Sequence, residues 1–431
     1  MTVLSERSGA TSLRCASVDD IVVDAGWKGF PLGAAPRRVR EIGATGWRLL
    51  AGDLPFPACV LKASALERNA AWMRQFLALT GARLAPHGKT TTAPQLFHRQ
   101  LADGAWGLTA ATPAQLGTYR QHGIARILFA NQLVDPIGIA YVIDELRDPD
   151  FQFLSLVDSV AGVDRLADAA HGLDRPLELL LEGGLAGGRT GCRSVADGLE
   201  VARAVAAAPG LSLRGVEGFE GIAPDAAAAE AFLGLLAKIA EACDAENLFA
   251  PGPAILSAGG SSYYDLVVER FGAARLSRPV EIVLRSGCYL THDSGLYERA
   301  FEALQSRSST ARDIGGGFAP ALEVWAMVQS RPEPTRAVAT MGKRDVSSDV
   351  DLPVPAKVHR GTGVVSAPEG LRVAGLNDQH ALLDVPADAD LAVGDLVGFG
   401  VSHPCTTFDR WRLIYVVDDA YAVRDAVVTF F

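Results

Sequence analysis

From Gly81 to Arg285 the chain repeats one pattern, a short apolar run followed by a longer stretch with apolar residues at helical spacing. The short runs fall at residues 82–85, 106–109, 126–130, 153–157, 177–182, 212–217, 254–258 and 281–285. Their length and the turns that bound them predict buried strands. Between them, stretches rich in Ala, Leu, Glu and Arg at 113–122, 136–147, 160–171, 195–208 and 225–245 predict helices. Eight strand-helix steps over about 200 residues force parallel strands with right-handed crossovers, which suits a closed (β/α)8 barrel. An open doubly wound sheet has the same periodicity and stays open as an alternative.

After Arg285 the pattern changes. From about Ala321, apolar and polar side chains alternate between Pro and Gly turns at 322–330, 336–340, 361–365, 381–385, 395–400 and 412–417, which predicts a mostly antiparallel β domain. Ahead of the barrel, 57–61 reads as a strand and 64–79 as a helix. Residues 1–62 are expected to join the β domain, giving a barrel over 63–300 and a β domain built from 1–62 and 301–431. No other repeat is visible.

Composition narrows the function. Of 431 residues, 49% are hydrophobic and 21% charged, the profile of a compact α/β enzyme. The net charge is −10 with no long basic block, which argues against a nucleic-acid partner. The uncharged stretch 247–264 is broken by Pro and Gly, so no membrane span is expected, and residues 1–12 carry no apolar core of signal-peptide length behind Arg7. A cytoplasmic protein is expected. The six cysteines include no CxxC pair, which argues against a disulfide framework.

Several residues could carry chemistry at the carboxyl ends of the strands, where barrel sites form. Lys89 follows the first run in Pro86-His87-Gly88-Lys89-Thr90. A partly desolvated lysine there has a lowered pKa and can serve as a Schiff-base nucleophile, although an ordinary loop lysine looks the same. After the seventh run, Gly259, Gly260, Ser261 and Ser262 lead into a helical stretch at 263–271. Glycine amides, serine hydroxyls and a helix N-terminus make a phosphate cradle, or merely a flexible turn. The eighth run leads to Ser286, Gly287 and Tyr289; the fifth leads through four glycines to Arg189; Glu217 and Glu220 stand near the same rim. In the β domain, His403 and Cys405 on an extended segment would share one side and could share a metal ion, zinc by preference. His380 is the candidate for a further ligand, and a structural His beside a buried Cys is the ordinary alternative.

In this order and spacing the residues resemble the fold-type III pyridoxal-phosphate enzymes, and within them the D-serine dehydratase / D-threonine aldolase family. The resemblance covers nearly the whole chain from about Gly52. It rests on Pro86-His87-Gly88-Lys89-Thr90, Gly188-Arg189-Thr190-Gly191, the Gly-Gly-Ser loop, the stretch 336–349, Asp378-Gln379-His380 and His403-Pro404-Cys405. It implies an alanine racemase-like barrel in which Lys89 and its neighbour His87 meet pyridoxal phosphate. Arg189 would face the cofactor's phenolic oxygen, and the 259–262 loop, Gly287 and Tyr289 would hold its phosphate. His403 and Cys405 would carry Zn2+. The family's aldolases look to have Asp where this chain has Cys405, which favours a dehydratase. The chain departs from the family at Gln379, where Glu is common, and at Ala381, where Gly is usual.

The implied reaction is β-elimination of D-serine, or a related D-3-hydroxy amino acid, to pyruvate or another 2-oxo acid and ammonia. Lys89 would be the general base and Zn2+ would polarise the substrate hydroxyl. The alternatives are retro-aldol cleavage of a D-3-hydroxy amino acid such as D-threonine, racemisation, and a pyridoxal-phosphate carrier without turnover. The resemblance further implies a homodimer. Arg312, Arg344 and Arg360 are candidate partners for the substrate carboxylate.

Overall fold

The computed structural model describes residues 13, 15–361 and 363–431; residues 1–12, read above for a signal peptide, lie outside the described residues. Eight strands build the barrel: Arg83–Leu84, Leu108–Ala110, Arg126–Gln132, Gln152–Val157, Leu177–Gly183, Leu211–Gly218, Ala254–Ala258 and Val280–Leu284, numbered one to eight below. Strands two to eight pair in parallel with their chain neighbours, and eight pairs in parallel with one. A parallel bridge between His87 and Thr109 joins one to two, with the Thr109 amide donating to the Pro86 carbonyl at 3.0 Å. The sheet is thus a closed barrel, and the open doubly wound alternative falls.

Side chains alternate across a strand. Leu128, Leu154, Leu156, Leu180, Ile255 and Val283 cluster as the barrel interior. Their neighbours Ile127, Phe129, Phe153, Leu179, Leu181 and Leu256 belong to the larger core beneath the helices. The helices that follow strands two to six start where a polar side chain caps them: Thr112, Asp135, Ser159, Ser194 and Asp225 each accept an amide hydrogen from the first turn. Each cap contributes about 1 kcal/mol and fixes where the loop at the barrel mouth ends.

Past strand eight the chain forms two helices, Leu296–Arg307 and Ser309–Ile314, so the expected boundary at 300/301 falls inside a helix. Phe301 packs edge-on to Trp72 at 5.0 Å and Arg307 pairs with Asp265 at 2.7 Å, which ties the first of these helices to the barrel's outer ring.

The β domain is a ten-stranded sheet centred on Leu322–Glu333, which pairs antiparallel with Leu396–Gly400, Arg336–Ala339 and Ala58–Lys62. Ala58–Lys62 also pairs in parallel with Leu413–Val417. Val18, Val23, Phe30, Val39, Ile42 and Leu49 pack on Val60, Trp325, Leu413 and Tyr415, so the segment ahead of the barrel shares the β-domain core. Strands Val354–Arg360, Arg372–Leu376 and Val423–Val428 were not predicted; Lys, Arg and Asp interrupt their apolar alternation. Among the described residues, no helix is long and apolar enough to cross a membrane.

Candidate active site

Lys89 lies on the 3-10 turn Gly88–Thr90 just beyond strand one, and His87 Nδ1 accepts its backbone N–H at 3.4 Å. Its side chain is exposed rather than desolvated as expected. Desolvation and then the charges of Lys89, Arg285 and Arg189 hold the His87 imidazole well below its usual pKa. Three cations from strand one, strand eight and the loop after strand five therefore bear on one histidine. Such a convergence fits an anionic aldehyde cofactor whose carbonyl a lysine can take.

Arg189 stacks on the Phe219 ring at 4.7 Å, and a Cβ on Gly260 would meet that same ring at 2.8 Å. The loops after strands five, six and seven thus touch in sequence. Beneath them lies a buried polar layer. Glu182 accepts from Thr190 at 2.9 Å and from Gln132 at 2.5 Å; Glu217 pairs with Arg285, whose Nη2 also donates to the Gly218 carbonyl at 2.8 Å. Burial pushes the Glu217 carboxyl up to about 8 against the opposing pull of Arg285.

The glycine loop is built differently from the expectation. The Gly259 and Gly260 amides, assigned to a phosphate above, donate to Glu220 at 3.0 and 2.7 Å. Ser261 and Ser262 follow, half-buried, ahead of the helix Tyr264–Gly272. Gly287 is needed for close approach, since a Cβ there would lie 2.6 Å from the His87 carbonyl and from the Thr90 hydroxyl. Tyr289 is not in the cradle. Its buried hydroxyl bonds Gln100 of the helix Pro94–Ala102.

His403 and Cys405 come together, though not on an extended strand. His403 has left-handed backbone geometry, φ +59, followed by Pro404 and the short helix Cys405–Phe408. Asp293 secures that unusual residue, accepting the His403 amide at 2.9 Å. His403 Nδ1 meets Asp349 Oδ2 at 2.5 Å, the carboxylate–histidine pairing that orients a ring for metal binding through its other nitrogen. Hydrogen bonding with Cys288, then with His403 and Thr90, draws the Cys405 thiol well below its usual pKa, and contact with Cys405 and Asp349 raises His403 to about 9. Cys405 Sγ lies 3.5 Å from the Thr90 hydroxyl, one residue from Lys89, so both halves of the site come from one chain.

The donors His403 and Cys405 suit zinc. His380 does not join them: it closes the turn between Arg372–Leu376 and Ala381–Asp384, with its carbonyl taking the Asn377 amide. Among the described residues, no group of three or more His, Cys, Asp or Glu side chains is placed to hold a metal ion. The three candidate carboxylate-binding arginines are engaged elsewhere: Arg360 with Asp390 and Asp395, Arg344 with Asp378, Arg312 with the carbonyls of Gln305 and Ser306. The sequence suggests no role for Asp349 or Cys288. Cys288 was visible as a residue just past strand eight, where barrel sites form.

Residues 61–275 match the family model described as alanine racemase, N-terminal domain, and residues 321–417 match the one described as putative serine dehydratase domain. The chain is similar to a D-threonine aldolase from Arthrobacter sp., 24% identical over 376 residues that span 86% of this chain and 90% of that protein. In fold it resembles the D-threonine aldolase of Filomicrobium marinum, with TM-score 0.74, 22% identity and coverage of 92% and 98% of the two chains. It also resembles a D-threo-3-hydroxyaspartate dehydratase carrying a cysteine-to-alanine substitution, in the metal-free form, with TM-score 0.68, 23% identity and coverage of 89% and 99%.

Proposed function

Because this chain belongs to the fold-type III pyridoxal-phosphate enzymes of the D-serine dehydratase / D-threonine aldolase family, we propose that it is a lyase acting on D-3-hydroxy amino acids. The reaction in this reading is β-elimination of D-serine, or a close relative, to a 2-oxo acid and ammonia. What carries it is the place of Cys405, beside His403 and with its sulfur 3.5 Å from the hydroxyl of Thr90, the residue next to Lys89.

Lys89, exposed at the mouth, is the amine that would anchor pyridoxal phosphate, and Arg189 on its Phe219 platform would face the phenolic oxygen. When bound, the cofactor supplies an electron sink for a Cα carbanion, and Zn2+ on His403 and Cys405 supplies Lewis acidity toward the substrate hydroxyl. The Lys89 amine, carried on a short turn, would be the base that takes the Cα proton. Asp349 orients the His403 imidazole, and Cys288 and Thr90 hold the Cys405 sulfur. The functional unit proposed is a homodimer, with the metal pair serving the barrel of its own chain.

A second reading is favoured by the relatives described as D-threonine aldolases, in which the same groups hold the substrate while the Cα–Cβ bond breaks. One experiment separates the two. The purified protein with pyridoxal phosphate and zinc is given D-serine and D-threonine while its spectrum and products are followed. Pyruvate and ammonia from D-serine are expected. Glycine and acetaldehyde from D-threonine, with no pyruvate from D-serine, would establish the retro-aldol reaction instead, and no spectral response to either would leave a carrier.

A further inference from the structure

We propose that Glu220 is the positioning residue of the cofactor's phosphate loop, an inference that rests on the pyridoxal-phosphate reading above. Glu220 opens the 3-10 turn Glu220–Ile222 just after strand six, and its side chain is fully buried. Its two carboxylate oxygens accept from consecutive amides, Oε2 from Gly259 at 3.0 Å and Oε1 from Gly260 at 2.7 Å. From the other side the Ser286 hydroxyl reaches the carbonyls of the same two glycines, at 2.9 and 3.1 Å. Both peptide groups of the loop are thus held from within the protein.

The loop needs such a clamp. Gly259 is left-handed at φ +88, and a Cβ there would meet Leu284 at 2.8 Å; Gly260 lies under the Phe219 ring. Two adjacent glycines lose much conformational entropy on ordering, and a rigid acceptor pair offsets that cost before any ligand arrives. The clamp also moves the anion. With the Gly259 and Gly260 amides already bonded to a carboxylate, a phosphate meets the next donors along the chain, the amides and hydroxyls of Ser261 and Ser262. The helix Tyr264–Gly272 begins there. Glu220 therefore aims the donors without being one.

The test is titration of the apoprotein with pyridoxal phosphate, followed by visible absorbance, for the unsubstituted chain, Glu220→Ala, Glu220→Gln and Ser286→Ala. Turnover at saturating cofactor and inhibition of cofactor binding by inorganic phosphate are measured alongside. Glu220→Ala is expected to weaken cofactor affinity tenfold or more, with a smaller loss in turnover once the cofactor is saturating. Glu220→Gln, which keeps one acceptor oxygen, falls between Glu220→Ala and the unsubstituted chain. Phosphate competes less well in both. If Glu220→Ala does not fold, Glu220→Gln and Ser286→Ala carry the test, each having lost part of the clamp. Cofactor and phosphate affinities equal to those of the unsubstituted chain in the folded variants overturn the inference. Failure of the unsubstituted chain to bind pyridoxal phosphate overturns the cofactor reading, and this inference with it.

Discussion

Cys288 Sγ lies 3.6 Å from Cys405 Sγ, although 117 residues separate them and one belongs to the loop after strand eight, the other to the β domain. Thr90 stands within 3.6 Å of both sulfurs. The Cys405 sulfur proposed to hold metal is therefore fixed against the turn that bears Lys89 by direct packing. Cys405→Ala is expected to lose bound zinc in elemental analysis and to lower elimination by about 10²-fold or more, while the absorbance of bound cofactor survives. A variant that keeps both metal and activity would return Cys405 to a structural role.

Lys89→Ala is expected to abolish the visible absorbance of the loaded protein together with turnover. The 3-10 turn is capped through the Lys89 backbone and not its side chain, so the melting temperature of the apoprotein should change little. Undiminished absorbance in this variant would place the anchoring amine elsewhere.

Asp349→Asn tests orientation rather than ligation. The carboxylate reaches His403 Nδ1 and also accepts from the Thr406 hydroxyl at 2.7 Å, so it sets both the ring and the helix that starts at Cys405. Loss of such a partner lowers metal affinity by roughly 10–100-fold. Competition against a chromophoric chelator measures it, and an unchanged zinc affinity would refute the assignment.

Acid stability should depend on His292. Its ring is packed between Phe301 and Phe318, and burial lowers its pKa to about 4 despite Asp293. An unfolded imidazole takes its proton near the ordinary value of 6.5. As pH falls from there, the unfolded state gains the proton first, and the native state loses stability until pH reaches about 4. The loss is on the order of 2–3 kcal/mol. Asn tolerates the left-handed φ of +48 at this position, so His292→Asn is the suitable variant. Its denaturation midpoint should fall less steeply between pH 6.5 and 4.5, and a parallel slope would exclude His292 as the source.

Much of the fold was legible because parallel barrel strands are buried on both faces and read as apolar runs with capped helices between them. The rule that barrel sites sit at strand ends points to Lys89, Arg189 and the 259–262 loop, which follow strands one, five and seven. Elsewhere direction, and not position, decides. Tyr289 follows the same glycine as Cys288, yet its ring reaches Gln100 while Cys288 reaches Cys405. His403 and Cys405 converge through a left-handed residue and a helical turn that no alternation pattern encodes. His380 lies on a hairpin whose placement relative to His403 depends on strand pairings remote in the chain. Glu220 stood on the expected rim, but nothing in its spacing shows that it takes the amides of another loop.

The strand Ala58–Lys62 is made before the barrel, yet its partners at Leu322–Trp325 and Tyr415–Val417 are made after it. During synthesis this apolar segment must remain unpaired until the whole barrel has emerged. The barrel, by contrast, draws its eight strands from one continuous stretch and can close while translation continues. His403 and Cys405 lie between two of these late-made strands, so a chain stalled after the barrel would lack the contact of Cys405 with Thr90 beside Lys89.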